Sequence, residues 1–169
     1  DGIKNQNETD VDCGGLCPTK CATGQLCGAN ADCTSIHCTG GTCAAPTCAD
    51  GIKNQGETDI DCSGACATKC ANLKTCVIAS DCQSVVCAGG TCQVPTCNDT
   101  AKNGAGTDVD CGGACATKCA DNKACLINSD CLSNVCNPAG HVCQASLCSD
   151  GVKNGTETDI DCGGTCVSK

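Results

Sequence analysis

The sequence predicts a small disulfide-rich repeat protein: an elongated tandem array of loops, short hairpins and helical turns with little regular secondary structure. Three observations predict it. Cys fills 26 of the 169 positions, Phe, Trp, Tyr and Met fill none, and one 49-residue pattern runs three times and begins a fourth. Without large side chains a conventional core is excluded. Ordering a repeat costs on the order of 70 kcal/mol at ~1.5 kcal/mol per residue, more than scattered Val, Ile and Leu return on burial. Covalent staples must supply the difference, and a Cys content this high marks a disulfide scaffold, which persists in oxidising surroundings. The expected location is extracellular, either secreted or on a cell surface.

The repeats fall at 1–49, 50–98 and 99–149, with a partial fourth at 150–169. Cys13, Cys17, Cys21, Cys27, Cys33, Cys38, Cys43 and Cys48 of the first recur as Cys62, Cys66, Cys70, Cys76, Cys82, Cys87, Cys92 and Cys97. The third repeats them as Cys111, Cys115, Cys119, Cys125, Cys131, Cys136, Cys143 and Cys148, and the fourth retains Cys162 and Cys166. Two extra residues of the third repeat fall around Pro138 to His141, as expected of a surface turn. A period of this length implies stacked units that each contact mainly their neighbours. The chain opens on the first residue of a repeat and stops partway through another, so a processed subunit or a window on a longer chain is expected.

Each repeat begins with an acidic loop, Asp1-Gly-Ile-Lys-Asn-Gln-Asn-Glu-Thr-Asp-Val-Asp-Cys-Gly-Gly15 in the first. Spacings of four from Cys13 to Cys21 suit one side of a helical turn, but Gly14 and Gly15 favour a loop. The second half carries Gly-Gly at 40–41 and 89–90, which reads as the turns of short hairpins. Pro46 and Pro95 predict extended junctions into the next loop. Eight Cys permit 105 pairings, so the spacing alone fixes none. If the last Cys of a unit bridges to the first or second of the next, as Cys48 to Cys62 or to Cys66, the bond closes the acidic loop and welds successive units. An early Cys of the first unit and a late one of the fragment then lack partners. A bridge closing ~15 residues is worth about 3 kcal/mol in the chain-entropy treatment.

The acidic loops hold fifteen of the nineteen Asp and Glu residues, the others being Asp32, Asp81, Asp121 and Asp130. Candidate cation ligands are Asp1, Asn5, Glu8, Asp10 and Asp12 in the first loop and Asp50, Asn54, Glu57, Asp59 and Asp61 in the second. The third offers Asp99, Asn103, Asp108 and Asp110, and the fourth Asp150, Asn154, Glu157, Asp159 and Asp161. Ca²⁺ takes six to eight oxygens from such groups and from backbone carbonyls. One ion per loop would bring the formal charge from −9 to about −1, removing self-repulsion. The alternative is a solvated acidic turn whose side chains cap backbone groups. In the third loop Thr100 replaces the Gly and Gly106 the Glu, so that loop is expected to bind more weakly. The pattern is not an EF-hand, because loop position 3 is not acidic and the Gly is at position 2.

Asp32, Asp81 and Asp130 read as capping or Asx-turn carboxylates, with a supplementary ligand role as the alternative. Lys20, Lys69 and Lys118, and Lys4, Lys53, Lys102 and Lys153 in the loops, pair with acids or lie in solvent. His37 and His141 occupy non-equivalent positions, which excludes a repeated His site. Cys-x-x-Cys and Cys-x-Cys do not occur, arguing against zinc ribbons, redox dithiols and attached haem. No Ser-His-Asp or Cys-His arrangement recurs, so an enzyme is not expected. Asn7, Asn98 and Asn154 match glycosylation sequons. A chain of net charge −9 without Arg is a poor fit to nucleic acid or anionic membranes, and no apolar run approaches the ~20 residues of a membrane helix.

The motif Asp-Gly-x-Lys-Asn-x-x-Glu-Thr-Asp-x-Asp-Cys-Gly-Gly-x-Cys, followed by Asp-Cys-x-Ser-x-x-Cys-x-x-Gly-x-Cys, resembles the Cys-rich tandem repeats of long secreted and surface-attached bacterial proteins. The likeness covers the whole chain. The Asp/Asn loops are more loosely similar to thrombospondin type 3 calcium repeats, without their Asp-x-Asp-x-Asp-Gly order. The resemblance implies a calcium-stabilised extracellular rod or filament. The expected function is thus a structural component of a fibre or stalk, with copies of itself or a continuing repeat chain as partner. The alternative is an adhesin or protein-binding module on a calcium-stiffened rod. Metal storage would need more free ligands than four loops provide.

Overall fold

Sulfur takes the place that aromatic and aliphatic side chains hold in larger cores. In the computed structural model, which describes residues 1–5 and 7–166, every buried apolar side chain of the described residues is a Cys. The aliphatic residues stay outside, Leu16, Leu73 and Val77 each 79% exposed. Twelve disulfides join the described residues. Within the first repeat they run Cys13–Cys21, Cys27–Cys38 and Cys33–Cys43. The same three recur as Cys62–Cys70, Cys76–Cys87 and Cys82–Cys92, and as Cys111–Cys119, Cys125–Cys136 and Cys131–Cys143.

Regular structure is confined to pieces two or three residues long. In each repeat the chain leaves its acidic loop, passes through a single 3₁₀ turn and closes in a two-stranded antiparallel hairpin. The 3₁₀ turns are Asn30–Asp32, Ala79–Asp81 and Asn128–Asp130. The hairpins pair β1 (Cys38–Thr39) with β2 (Thr42–Cys43), β3 (Cys87–Ala88) with β4 (Thr91–Cys92), and β5 (Cys136–Asn137) with β6 (Val142–Cys143). Gly40 and Gly41 sit at φ 58° and 77°, so both turn residues occupy the left-handed region that a two-residue type I′ hairpin requires. Register places Cys38 opposite Cys43, yet each bonds elsewhere, Cys38 to Cys27 and Cys43 to Cys33, so the two sulfurs staple the hairpin to the strandless segment before it. The two extra residues of the third repeat lie in the β5–β6 turn.

Asp32 explains the 3₁₀ turn. Its Oδ2 accepts the backbone N–H groups of Gly28 and Ala29 at 2.8 and 3.0 Å, and its Oδ1 accepts that of Gly15 at 3.0 Å. Asp81 and Asp130 repeat the first pair of contacts with Val77 and Ile78, and with Leu126 and Ile127. These carboxylates are caps, and through Gly15 and Gly113 they also tie the end of the acidic loop to the turn.

By contacts the chain divides into two units, one of Asp1–Gln83 with Cys87–Cys92 and one of Ser84–Val86 with Gln93–Lys169. The first holds two sulfur clusters, around Cys21 and Cys33 and around Cys70 and Cys82. The second holds the cluster around Cys119 and Cys131.

Ile36 and Val85 are held at φ 59°, which is costly for β-branched residues, whereas the third repeat places Asn134 there at φ 57°. Ile36 is 45% and Val85 38% exposed, so each replacement also gives up some apolar contact and the net gain is expected at the lower end of the strain energy. Ile36→Asn and Val85→Asn are expected to stabilise the unreduced protein by roughly 1 kcal/mol each. Urea midpoints unchanged or lowered in both variants would contradict the strain account.

Candidate metal site at the repeat junctions

The second, third and fourth acidic loops are each closed by a disulfide that crosses a repeat boundary. Cys48 bonds Cys66, Cys97 bonds Cys115 and Cys148 bonds Cys166, each over 18 residues. Of the two pairings left open by the sequence, the second Cys of the following repeat is the one used. The first Cys, as Cys62, is taken by Cys70. Cys17 and Cys162 are free thiols among the described residues. Cys17 is the early Cys that the junction scheme leaves over, whereas in the fragment the earlier Cys162 is free and the later Cys166 is bonded to Cys148.

Inside the second loop four of the five candidate ligands form one network. Asp50 Oδ2 accepts from Thr47 N–H at 2.8 Å and from the Asn54 amide at 3.1 Å, and its Oδ1 accepts from Ile52 N–H at 3.0 Å. Asp61 accepts the N–H groups of Asp50 and Gly51, and Glu57 Oε2 those of Asn54 and Asp61. Asp61 itself stands at φ 57°, a conformation that Asp tolerates better than most residues, and Asp12, Asp110 and Asp161 share it. Gly64 lets the loop close, since a Cβ there would overlap the carbonyl oxygen of Gly56.

The other loops follow. Asp150 takes the Leu147 and Val152 N–H groups and the Asn154 amide, Asp161 takes Gly151, and Glu157 takes Asn154 and Asp161. In the first loop Asp12 accepts Gly2 N–H, Asn5 donates to Asp1, and Glu8 accepts Asn5 and Asp12 N–H. In the third, Asp99 takes Thr96, Ala101 and Asn103, and Asp110 takes Asp99 and Thr100, with Gly106 offering no carboxylate.

The fifth candidate is turned away. Asp10, Asp59 and Asp108 reach across their own repeats to the backbone N–H of Leu26, Thr75 and Ala124 at 2.7, 2.6 and 2.7 Å. They are anchors holding each loop to the strand-like segment 16 residues on, and Lys74 and Lys123 lie 3.4 and 3.7 Å from the second and third of them. Asp159 accepts Ile160 N–H at 2.9 Å. The alternation Asp-x-Asp gave no sign that its two carboxylates would point to different places.

Two further features lay outside sequence reasoning. His37 Nδ1 lies 3.4 Å from Asp50 Oδ2, close enough for attraction when protonated but not aligned as a hydrogen bond. Val86 and Val135 fill that position in the later repeats, so periodicity carried no signal for it. Sulfur atoms also come together in threes, at Cys27, Cys33 and Cys43, at Cys76, Cys82 and Cys87, and at Cys125, Cys131 and Cys143. All of these are consumed in disulfides, so in the oxidised protein they are not thiolate ligands.

Backbone N–H donors dominate the electrostatics. Thr75 N–H pulls the Asp59 carboxyl from 3.8 to about 2 against the opposing effect of burial, with Ile60 N–H and Lys74 assisting. Asp50 is lowered, chiefly by Thr47 N–H, and Asp32 by Gly28 N–H. Comparison with protein-family models, with curated proteins and with solved structures returns no match.

A carboxyl whose folded pKa lies below its unfolded value stabilises the fold above that unfolded value and loses the contribution as pH falls through the folded one. Stability of the unreduced protein is therefore expected to drop between about pH 4 and pH 2, and Asp59→Asn to flatten part of that drop. An acid limb identical in the variant, followed by urea unfolding at stepped pH, would contradict the anchor role. Removing the junction bond with the double change Cys48→Ser and Cys66→Ser should cost about 3 kcal/mol and speed hydrogen exchange at the Gly51 and Asp61 amides. Unaltered exchange there would show that the loop does not depend on the bridge.

Proposed function

We propose that this chain is a structural component of an extracellular fibre or surface stalk, with a mechanical and non-catalytic role. One observation carries the reading: each of the three junctions between repeats is crossed by a disulfide that also closes the following acidic loop. Tension along such a chain meets a covalent bond at each boundary, and the twelve bridges keep the unfolded state small. This density of disulfides fits an oxidising environment, and no helix among the described residues is long and apolar enough to cross a membrane.

Because the junction is heterologous, a repeat offers one surface at its start and another at its end, and such contacts extend without closing. Cys17 stands where Cys66 and Cys115 receive the last Cys of a preceding repeat, so it is the position at which another copy of the repeat would be joined. Calcium in the acidic loops belongs to this reading. It would offset the charge of −9, to which the loops contribute most of the carboxylates.

Display of a binding surface is the second reading, favoured by the aliphatic side chains that stay outside, among them Leu73, Val77, Ile78, Leu126 and Ile127.

Electron microscopy of the unreduced protein, in millimolar Ca²⁺ and then in excess chelator, tests the proposal. Rods or filaments that shorten or loosen on chelation are expected. Compact particles indifferent to chelation would turn the search toward a protein partner.

A further inference from the structure

The buried polar atoms of the second and fourth loops are incompletely satisfied, and in the same way. Asn54 is 7% exposed, and its Oδ1 is buried without a hydrogen-bond partner. The amide cannot be turned round to relieve this, because Nδ2 donates to Asp50 Oδ2, and exchange would set oxygen against carboxylate. Glu57 is 6% exposed. Its Oε2 accepts two long backbone bonds, at 3.3 and 3.2 Å, while its Oε1 faces Cys66 Sγ at 3.1 Å. That sulfur is spent in the bond to Cys48 and carries no proton, so the contact supplies no hydrogen bond. Among the described residues no Lys or His lies within ion-pair distance of Glu57 or Asp61. An amide oxygen and a carboxylate oxygen of two buried residues in one loop, joined through the Asn54 N–H to Glu57 Oε2 bond, thus lack donors, a costly arrangement unless something electropositive completes it.

The fourth loop reproduces these contacts with Asn154 and Glu157 partly rather than fully buried. Asn154 Oδ1 is likewise buried and unpartnered, and Glu157 Oε1 faces Cys166 Sγ at 3.4 Å. Beside them is a recess of about 60 Å³ lined by Cys148, Asn154, Glu157, Thr165 and Cys166. It suits a single ion and is far below the ~300 Å³ at which small-molecule pockets begin. The third loop is the internal contrast. Gly106 stands where the Glu would be, and Asn103 Oδ1 accepts Ala105 N–H at 3.5 Å, so neither oxygen is left over. In the first loop Cys17 keeps its thiol, which donates to the Asp12 carbonyl at 3.4 Å, and no bridge closes over Glu8.

We infer that the second and fourth loops each hold one hard divalent cation on the Asn–Glu pair beneath the junction disulfide, Asn54 with Glu57 and Asn154 with Glu157, and that the third loop holds none. The inference rests on the calcium reading above and narrows it from nineteen candidate side chains to two per site. Oxygen donors without thiolate or imidazole select Ca²⁺ over softer metals. The junction disulfide has a second role here: it presses Glu57 and Asn54 into a space that water does not freely enter, so loop closure and ion binding reinforce one another.

Calorimetric titration of the unreduced chain with Ca²⁺ at neutral pH tests this, with disulfide mapping to confirm that each variant keeps its twelve bridges. Two sites per chain are expected, with Kd on the order of 10⁻⁴ M. Glu57→Gln is expected to leave one, Glu57→Gln with Glu157→Gln none, and Asn103→Ala two. Asn54→Asp, which adds a carboxylate facing Asp50, is expected to bind on the order of tenfold more tightly at that site, since affinity follows ligand charge. Two sites retained in the Glu→Gln double variant, or unchanged affinity in Asn54→Asp, would overturn the assignment while leaving calcium in the loops. No Ca²⁺ binding by the parent chain would overturn the calcium reading itself and leave the oxygens to an ordered water.

Discussion

The Cys48–Cys66 bond and its two counterparts are the constraint on which the rest of the structure depends. A repeat without aromatic residues has little apolar volume to bury, and what it buries is sulfur. Three bridges shape each repeat internally, but they say nothing about the next one. The fourth does, by fixing the end of one repeat against the loop that opens the following one. Within that closed loop the carboxylates accept backbone N–H groups and the chain makes left-handed turns at Asp61 and Gly64. The first loop makes the same turns at Asp12 and Gly15 without a bridge, so the disulfide secures a conformation that the loop's own hydrogen bonds already define.

Acidic side chains in this chain do the work that strands and helices do in larger proteins. Asp50 and Asp61 hold the loop to itself, Asp59 holds it to Thr75, and Asp81 caps the 3₁₀ turn. Each accepts backbone N–H groups that strands only two residues long do not satisfy by ladders. The cost is a concentration of negative charge in the loops that open the repeats.

Much of this was legible in the sequence. The fold class, the absence of an aliphatic core and the hairpin turns follow from Cys content, missing aromatics and the Gly-Gly pairs at 40–41 and 89–90, because each is a local or compositional property. The junction bond was legible as a geometric idea but not as a pairing: Cys62 and Cys66 are four residues apart, and only three-dimensional closure of Cys62 onto Cys70 excludes the first. The acidic loops were legible as a pool of side-chain oxygens. Which of them turn inward was not, since Asp59 and Asp61 differ in sequence by a single step and in space by the Thr75 amide that captures one of them. His37 escaped for the opposite reason, being a single departure from a repeat whose other copies carry Val.

Peptide mapping of the unreduced protein, by proteolysis at low pH to prevent exchange and mass spectrometry of the linked fragments, tests the central claim most directly. The account predicts peptides linking Cys48 to Cys66, Cys97 to Cys115 and Cys148 to Cys166, each spanning a repeat boundary. Bridges confined within the individual repeats, with Cys48 and Cys97 bonded to cysteines of their own units, would contradict it.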